Sequence, residues 1–319
     1  MWSLFKTCFC VSILFMQTTV YAQSDFLSAR DSEPSKLGWM QGFPIPATKQ
    51  LRFNDGSFFE FPAMRWSVVH MRDLMPTVNV SRGLAAPSKQ AKQLDPAIDA
   101  ITFRPLKSNK DMSWEASLWQ NYTDGIVVLH RGKIVYERYF AELTEDQQHA
   151  AMSVTKSLTG TLGAVLVAEG KLDDKRLVSE YLPELKDSAF GDATVRQVLD
   201  MTTSLKFSED YANKNAEIWS YSAAGNPLPK PSGYTGPIGY YSALKTIKKA
   251  GEHGQAFGYK TPNADLAGWL VARASGKSVN KLLAERVWSK IGMEQDSYYS
   301  VDELGTPFAG VALMLDYVT

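Results

Sequence analysis

The chain has 319 residues, 45% of them hydrophobic, and its 34 basic side chains are matched by 34 acidic ones. That length can bury one large core or two smaller ones, and the balanced charge gives no reason to expect a nucleic-acid partner. Cys8 and Cys10, the only cysteines, lie in a leader that reads as removable, so disulfides, cysteine metal sites and cysteine nucleophiles are excluded from the processed chain.

In chain order, the first element is that leader. Lys6 gives a positive start, residues 8–16 are apolar except for Ser12, and Val20-Tyr21-Ala22 offers a small-residue cleavage site. Residues 1–22 are therefore expected to be a signal peptide. The apolar run is shorter than the roughly 20 residues of a membrane-crossing helix. A periplasmic or secreted protein with no stable membrane span after cleavage is the expectation.

Residues 23–120 are broken by prolines from Pro44 to Pro105 and are expected to wrap a core made by later residues. The regular domain is expected over 121–319. It opens with two β-rich runs, 125–130 and 133–139, around Arg131-Gly132, the pattern of a hairpin. Residues 153–170 predict a helix. Leu158, Leu162, Val165 and Leu166 fall on one face, and Gly170 supplies a left-handed stop. Gly160 and Gly163 weaken it locally and permit close packing. Residues 195–201 suggest another helix, and 213–239, rich in Gly, Pro, Ser and Tyr, a long loop beside a cleft. Asn263 is expected to cap a helix over 264–274 closed by Gly276, and Ser278 to cap the next, ending at Gly292.

Ser153-Val154-Thr155-Lys156 opens the most apolar of these helices. Three residues make about one helical turn, so hydroxyl and amine share a face. A serine hydroxyl is a weak nucleophile until a base takes its proton. A lysine serves as that base only where burial lowers its pKa below about 10.4. The spacing alone is weak evidence, because Ser3-Lys6, Ser242-Lys245 and Ser278-Lys281 repeat it. Ser278 has a ready role as a helix cap, and Lys245 lies in the basic run with Lys248 and Lys249. A capping role for Ser153 is as compatible with its spacing as a nucleophilic one.

Several ordered segments carry more. A hairpin is followed by Ser153-Val154-Thr155-Lys156-Ser157, then by the runs 178–185 (VSEYLPEL), 194–202 (TVRQVLDMT), 257–269 (FGYKTPNADLAGW) and 275–278 (SGKS). Upstream, Gln41-Gly42-Phe43-Pro44 and Arg65-Trp66-Ser67 fit the same pattern. From about residue 123 to 302 the chain resembles the class C β-lactamase and penicillin-binding superfamily, in particular its 6-aminohexanoate-dimer hydrolase-like branch. The resemblance implies an α+β fold, an antiparallel sheet flanked by helices with an all-helical subdomain. It also implies that Ser153 is acylated, that Lys156 neighbours it, and that Tyr259 relays protons between nucleophile, leaving group and water. These three are expected to share a dry pocket. Tyr211 resembles a substrate-cleft tyrosine, and Thr261 a substrate-binding position where relatives carry Ser or Asn. The implied substrates are small amides, esters or peptides, with no metal or organic cofactor.

Two departures accompany it. Ser204 stands where relatives usually have glycine, so a tight turn there is expected to be altered. After Gly310 the expected glycine-rich strand segment, and any Lys-Thr-Gly or His-Thr-Gly, are missing, so C-terminal strands are expected to be absent. An oxyanion donor supplied by them would be lost, at a cost of ~10²–10³ in rate. The alternative function is therefore a truncated or degenerate protein that binds peptides or cell-wall fragments without turnover. There is no G-x-S-x-G elbow, and His70, His130, His149 and His253 are scattered with no H-E-x-x-H, so α/β-hydrolase and zinc-hydrolase readings fail. Gly276-Lys277-Ser278 is no phosphate loop, because Val271 occupies the position of its first glycine.

Overall fold

The computed structural model describes residues 26–309 and the backbone of the strand Leu313–Asp316. The expected signal peptide lies outside the described residues.

Prolines deny residues 26–120 long helices, and this segment contributes short pieces joined by turns. Strand β1 (Thr77–Val80) buries Val80 completely in the main core. Helix α1 (Trp114–Gln120) is capped by Ser113, whose hydroxyl accepts from the Ala116 N–H. Backbone bonds from Ser88 N–H to Gly292 O and from Gln93 N–H to Ile134 O lay the segment along later elements. Arg65, 5% exposed, reaches Asp124 at 3.0 Å. A cavity of about 470 Å³, walled by Phe26, Phe61, Met64, Val68 and Tyr122, sits over that pair.

The expected hairpin forms from β2 (Gly125–His130) and β3 (Lys133–Tyr139), paired antiparallel. Arg131 and Gly132 turn it with φ of 54° and 75°, two left-handed residues whose twist matches that of the strands. A second, antiparallel sheet runs β1–β5–β6–β4, from β4 (Gln148–Ala150), β5 (Ser297–Ser300) and β6 (Leu313–Asp316). A strand therefore does lie beyond Gly310.

Helix α2 (Val154–Ala168) follows β4 after a short turn, buries Leu162 and Leu166, and stops at Gly170 with φ 68°. Helix α3 (Val195–Leu199) carries a reciprocal cap. The Thr194 hydroxyl accepts from Gln197 N–H, and the Gln197 side chain accepts from Thr194 N–H. Residues 213–239 are not all loop. Helix α4 (Glu217–Gly225) forms within them because Ile218, Tyr221 and Ala224 line one buried face. Glycines and prolines on its C-terminal side masked that short period. Its last residue, Gly225, lies against the ring of Tyr240 in α5 (Tyr240–Leu244), where an added Cβ would sit 2.0 Å from Tyr240 Cζ.

Helix α6 (Thr261–Ser275) is buried continuously from Thr261 to Val271 and packs on α2, α3 and α5. Asn263 is not its cap. The helix begins two residues earlier, with Pro262 in its first turn, and Asn263 lies inside it, accepting from the Thr203 hydroxyl at 2.6 Å. Gly276, at φ 70°, closes α6 as expected. Helix α7 (Val279–Leu283) starts after Ser278, whose side chain makes no capping bond, and runs into a π-turn over Ala284–Trp288 before Gly292. The architecture is α+β, with an antiparallel sheet flanked by helices.

The two glycines of α2 differ. A Cβ at Gly163 would lie 2.9 Å from Leu199 Cδ2 of α3, whereas one at Gly160 would meet nothing within 4 Å. Gly160→Ala is therefore expected to raise stability by about 0.5–1 kcal/mol through backbone entropy alone. Gly163→Ala is expected to gain less than this, or to lose stability, because Leu199 must shift. Urea unfolding midpoints of the two variants check both; equal gains would mean that α2 and α3 are not in close contact.

Candidate active site

The turn from β4 into α2 sets the geometry of Ser153. Met152 has φ 45°, a left-handed conformation that is uncommon for a residue with a side chain, and Ser153 is already helical at φ −71°, ψ −4°. A capping serine needs an extended backbone, and the Ser153 hydroxyl makes no capping bond. Its side chain is exposed.

One turn on, Lys156 is 8% exposed, and its Nζ donates to Ser153 Oγ at 2.9 Å. The ring of Tyr259 faces the same amine, with its centroid 5.0 Å from Nζ. Tyr259 itself is half-exposed. The fold thus brings Ser153, Lys156 and Tyr259 together. The expected dry pocket is met by the lysine alone. Among the described S-x-x-K copies, Lys245 and Lys281 are exposed, so burial separates Lys156 from both.

Tyr259 is held from two sides. Gly258 N–H donates to Met201 O at 2.9 Å, and Thr261 N–H donates to the Glu209 carboxylate. Between these, Lys260 Nζ donates to Leu205 O, and burial lowers its pKa against the opposing pull of Glu209 and Glu217. Thr261, expected to bind substrate, is 3% exposed, and its hydroxyl donates to Glu209 Oε2 at 3.2 Å. Its hydroxyl is committed to the start of α6. Tyr211 is exposed and meets Trp219 edge-on, with ring centroids 5.9 Å apart. Its phenol is held above the ordinary range by burial first, then by the Glu209 charge and the nearby Tyr259.

The glycine-to-serine departure at Ser204 causes no left-handed strain; the positive φ of that loop falls on Met201, at 52°. Ser204 N–H instead donates to His253 Nδ1 at 2.9 Å. His253 is buried, and its Nε2 faces Ala189 O at 3.0 Å and Asp192 Oδ1 at 3.2 Å. This arrangement selects the tautomer with the proton on Nε2. The histidine ties the loop after α3 to the segment leading into Tyr259. His253→Ala should cost about 1–3 kcal/mol by leaving Ser204 N–H without its acceptor. Chemical denaturation reads this directly, and a change below 0.5 kcal/mol would discount the tie.

Glu209, Trp219 and His253 were not assigned to the site by their sequence. The partner of Glu209 lies 52 residues away, and no local pattern announces it. His253 was considered only as a metal ligand. Among the described residues no cluster of His, Asp or Glu could hold a metal ion, and no helix is long and apolar enough to cross a membrane.

Comparison with known proteins places the chain in a family. The 6-aminohexanoate-dimer hydrolase of Paenarthrobacter ureafaciens is 32% identical over 254 residues, covering 79% of this chain and 62% of that protein. The chain thus spans about three fifths of that relative's length. A beta-lactamase of Pseudomonas fluorescens is 28% identical over 188 residues, 56% of this chain and 46% of the relative. A Bacillus anthracis structure assigned as a 6-aminohexanoate-dimer hydrolase superposes with a TM-score of 0.75 at 30% identity, covering 81% of this chain and 67% of its own. The beta-lactamase family model matches residues 115–312, a stretch that holds Ser153, Lys156 and Tyr259. With more than half of its length inside that match, the chain belongs to the beta-lactamase family.

Proposed function

We propose that this chain is a serine hydrolase that transfers the acyl group of an amide or ester to water through an acyl-enzyme on Ser153. The observation that carries the reading is the buried Lys156 amine 2.9 Å from an exposed Ser153 hydroxyl that caps nothing. Across the same contact the hydroxyl gives its proton to the Lys156 amine as the oxygen attacks the substrate carbonyl. The Ser153 N–H donates to the oxyanion of the tetrahedral intermediate. Collapse of that intermediate breaks the bond to the leaving amine or alcohol, which takes a proton through Tyr259. Water then attacks the acyl-enzyme, passing its proton back along the same relay and releasing the acid and the free hydroxyl.

The named activity of the Paenarthrobacter relative, matched over 79% of this chain, favours linear amides among the candidate substrates. D-amino-acid peptides, β-lactams and short esters use the same chemistry. Residues 1–22 favour export to the periplasm or beyond it.

Intact-mass analysis after treatment with a fluorophosphonate tests the reading. One adduct, mapped to the peptide containing Ser153, is expected. A protein that stays unlabelled under conditions where it is folded overturns the proposal.

A further inference from the structure

Helix α6 takes the partner of its first N–H from a segment far away in sequence. Residues before a helix commonly cap it, but Lys260, at the N-cap position, contributes no capping bond from its side chain. The first free N–H of α6, that of Thr261, is taken by Glu209, which comes from the loop after α3, and Glu209 Oε2 also accepts from the Thr261 hydroxyl at 3.2 Å. A carboxylate at this end also meets the positive pole of the helix.

The contact is placed where it matters for the reaction. Tyr259 lies two residues before Thr261, so the position of that N–H limits where the phenol can stand. On its other side the chain is tied by Gly258 N–H to Met201 O. Both anchors, Met201 and Glu209, belong to the single stretch that leaves α3. Glu209 is also two residues from Tyr211, whose hydroxyl approaches Glu209 Oε2 at 3.5 Å. One carboxylate thus joins the segment that bears Tyr259 to the Tyr211–Trp219 aromatic pair.

We propose that Glu209 is a positioning residue: by capping α6 from a distant loop it holds Tyr259 over Lys156, and so sets the rate of acylation at Ser153. The proposal rests on the reading of Ser153 as the nucleophile. Glu209 touches no reacting atom in this role; it acts through Thr261 and Tyr259. Its working part is an acceptor oxygen at a fixed place, with the negative charge a lesser contribution.

Glu209→Gln keeps an acceptor oxygen for the Thr261 N–H, whereas Glu209→Ala removes it. Glu217 supplies a control, since its carboxylate accepts from Ser208 N–H at 3.0 Å in the same loop but makes no bond to α6. The experiment measures the rate of fluorophosphonate labelling at Ser153 against probe concentration, well below each variant's unfolding temperature. Glu209→Ala is expected to lower the limiting rate about 10–100-fold with a much smaller change in the half-saturating concentration. Glu209→Gln should recover to within about 3-fold of wild type, and Glu217→Ala should leave the limiting rate unchanged even where it lowers the unfolding temperature.

Equal limiting rates in wild type and Glu209→Ala overturn the positioning role alone. So does a loss of equal size in Glu209→Ala and Glu217→Ala, which would make the effect a general loosening of the loop. If wild type is not labelled at Ser153, the nucleophile assignment fails and takes the positioning role with it. The two failures are therefore distinguishable.

Discussion

Ser153→Ala is expected to lose all covalent labelling by a fluorophosphonate and to slow hydrolysis of an activated ester by roughly 10⁴-fold or more. The size follows from the chemistry, because without the hydroxyl oxygen no acyl-enzyme forms and only water attack on bound substrate remains. Stability should hardly move. The side chain is exposed, caps no helix N–H and receives a hydrogen bond from Lys156. Exposed substitutions of this kind usually fall within about ±0.5 kcal/mol. The pairing of results is what identifies a nucleophile. Labelling that persists in the alanine variant removes Ser153 from the mechanism, whatever the fold. Lost labelling with a stability loss above about 2 kcal/mol would point instead to a collapse of the turn at Met152.

Lys156→Met is expected to reduce the labelling rate about 10²–10⁴-fold, the range for removal of a positioned base. Methionine keeps nearly the same stem length, so the space between α2 and Tyr259 stays filled. Two effects on stability then oppose each other. Burying a polar amine is costly, and its removal relieves that cost. The amine also interacts with the face of Tyr259, which contributes about 0.5–2 kcal/mol in known cases. The terms are of similar size, so the net change should stay within about 1 kcal/mol. Lys245→Met, at an exposed copy of the same motif, should leave labelling unchanged. Equal labelling in Lys156→Met and wild type would sink the lysine's role, and Tyr259 would have to act alone.

The same pair shows where sequence reading succeeds. Ser153 and Lys156 are one turn apart on a helix whose period is plain from Leu158, Leu162 and Leu166, so their shared face follows from backbone geometry alone. The hairpin was equally legible, because Arg131-Gly132 supplies the two left-handed residues its turn demands. Ser278-Lys281 and Ser242-Lys245 have the same spacing; the basic run around Lys245 already marked an exposed face, and packing shows that Lys281 is exposed too. The start of α6 was misread for a related reason. Asn263 has the chemistry of a cap, but Thr203, 60 residues away, claims its oxygen, and Glu209 takes the helix end instead. Helix α4 escaped notice because its nine residues are too few for a period to stand out among glycines and prolines.

The order of segments from the hairpin to 275–278, with the serine and lysine one turn apart, was determined by the sequence, because such features depend on neighbours within a turn or a strand. The tertiary structure alone decided that Tyr259 faces the Lys156 amine, and that a glutamate from another loop anchors the helix that follows the phenol. Those contacts join residues tens of positions apart, and only the packed core selects them from the many partners the chain could offer.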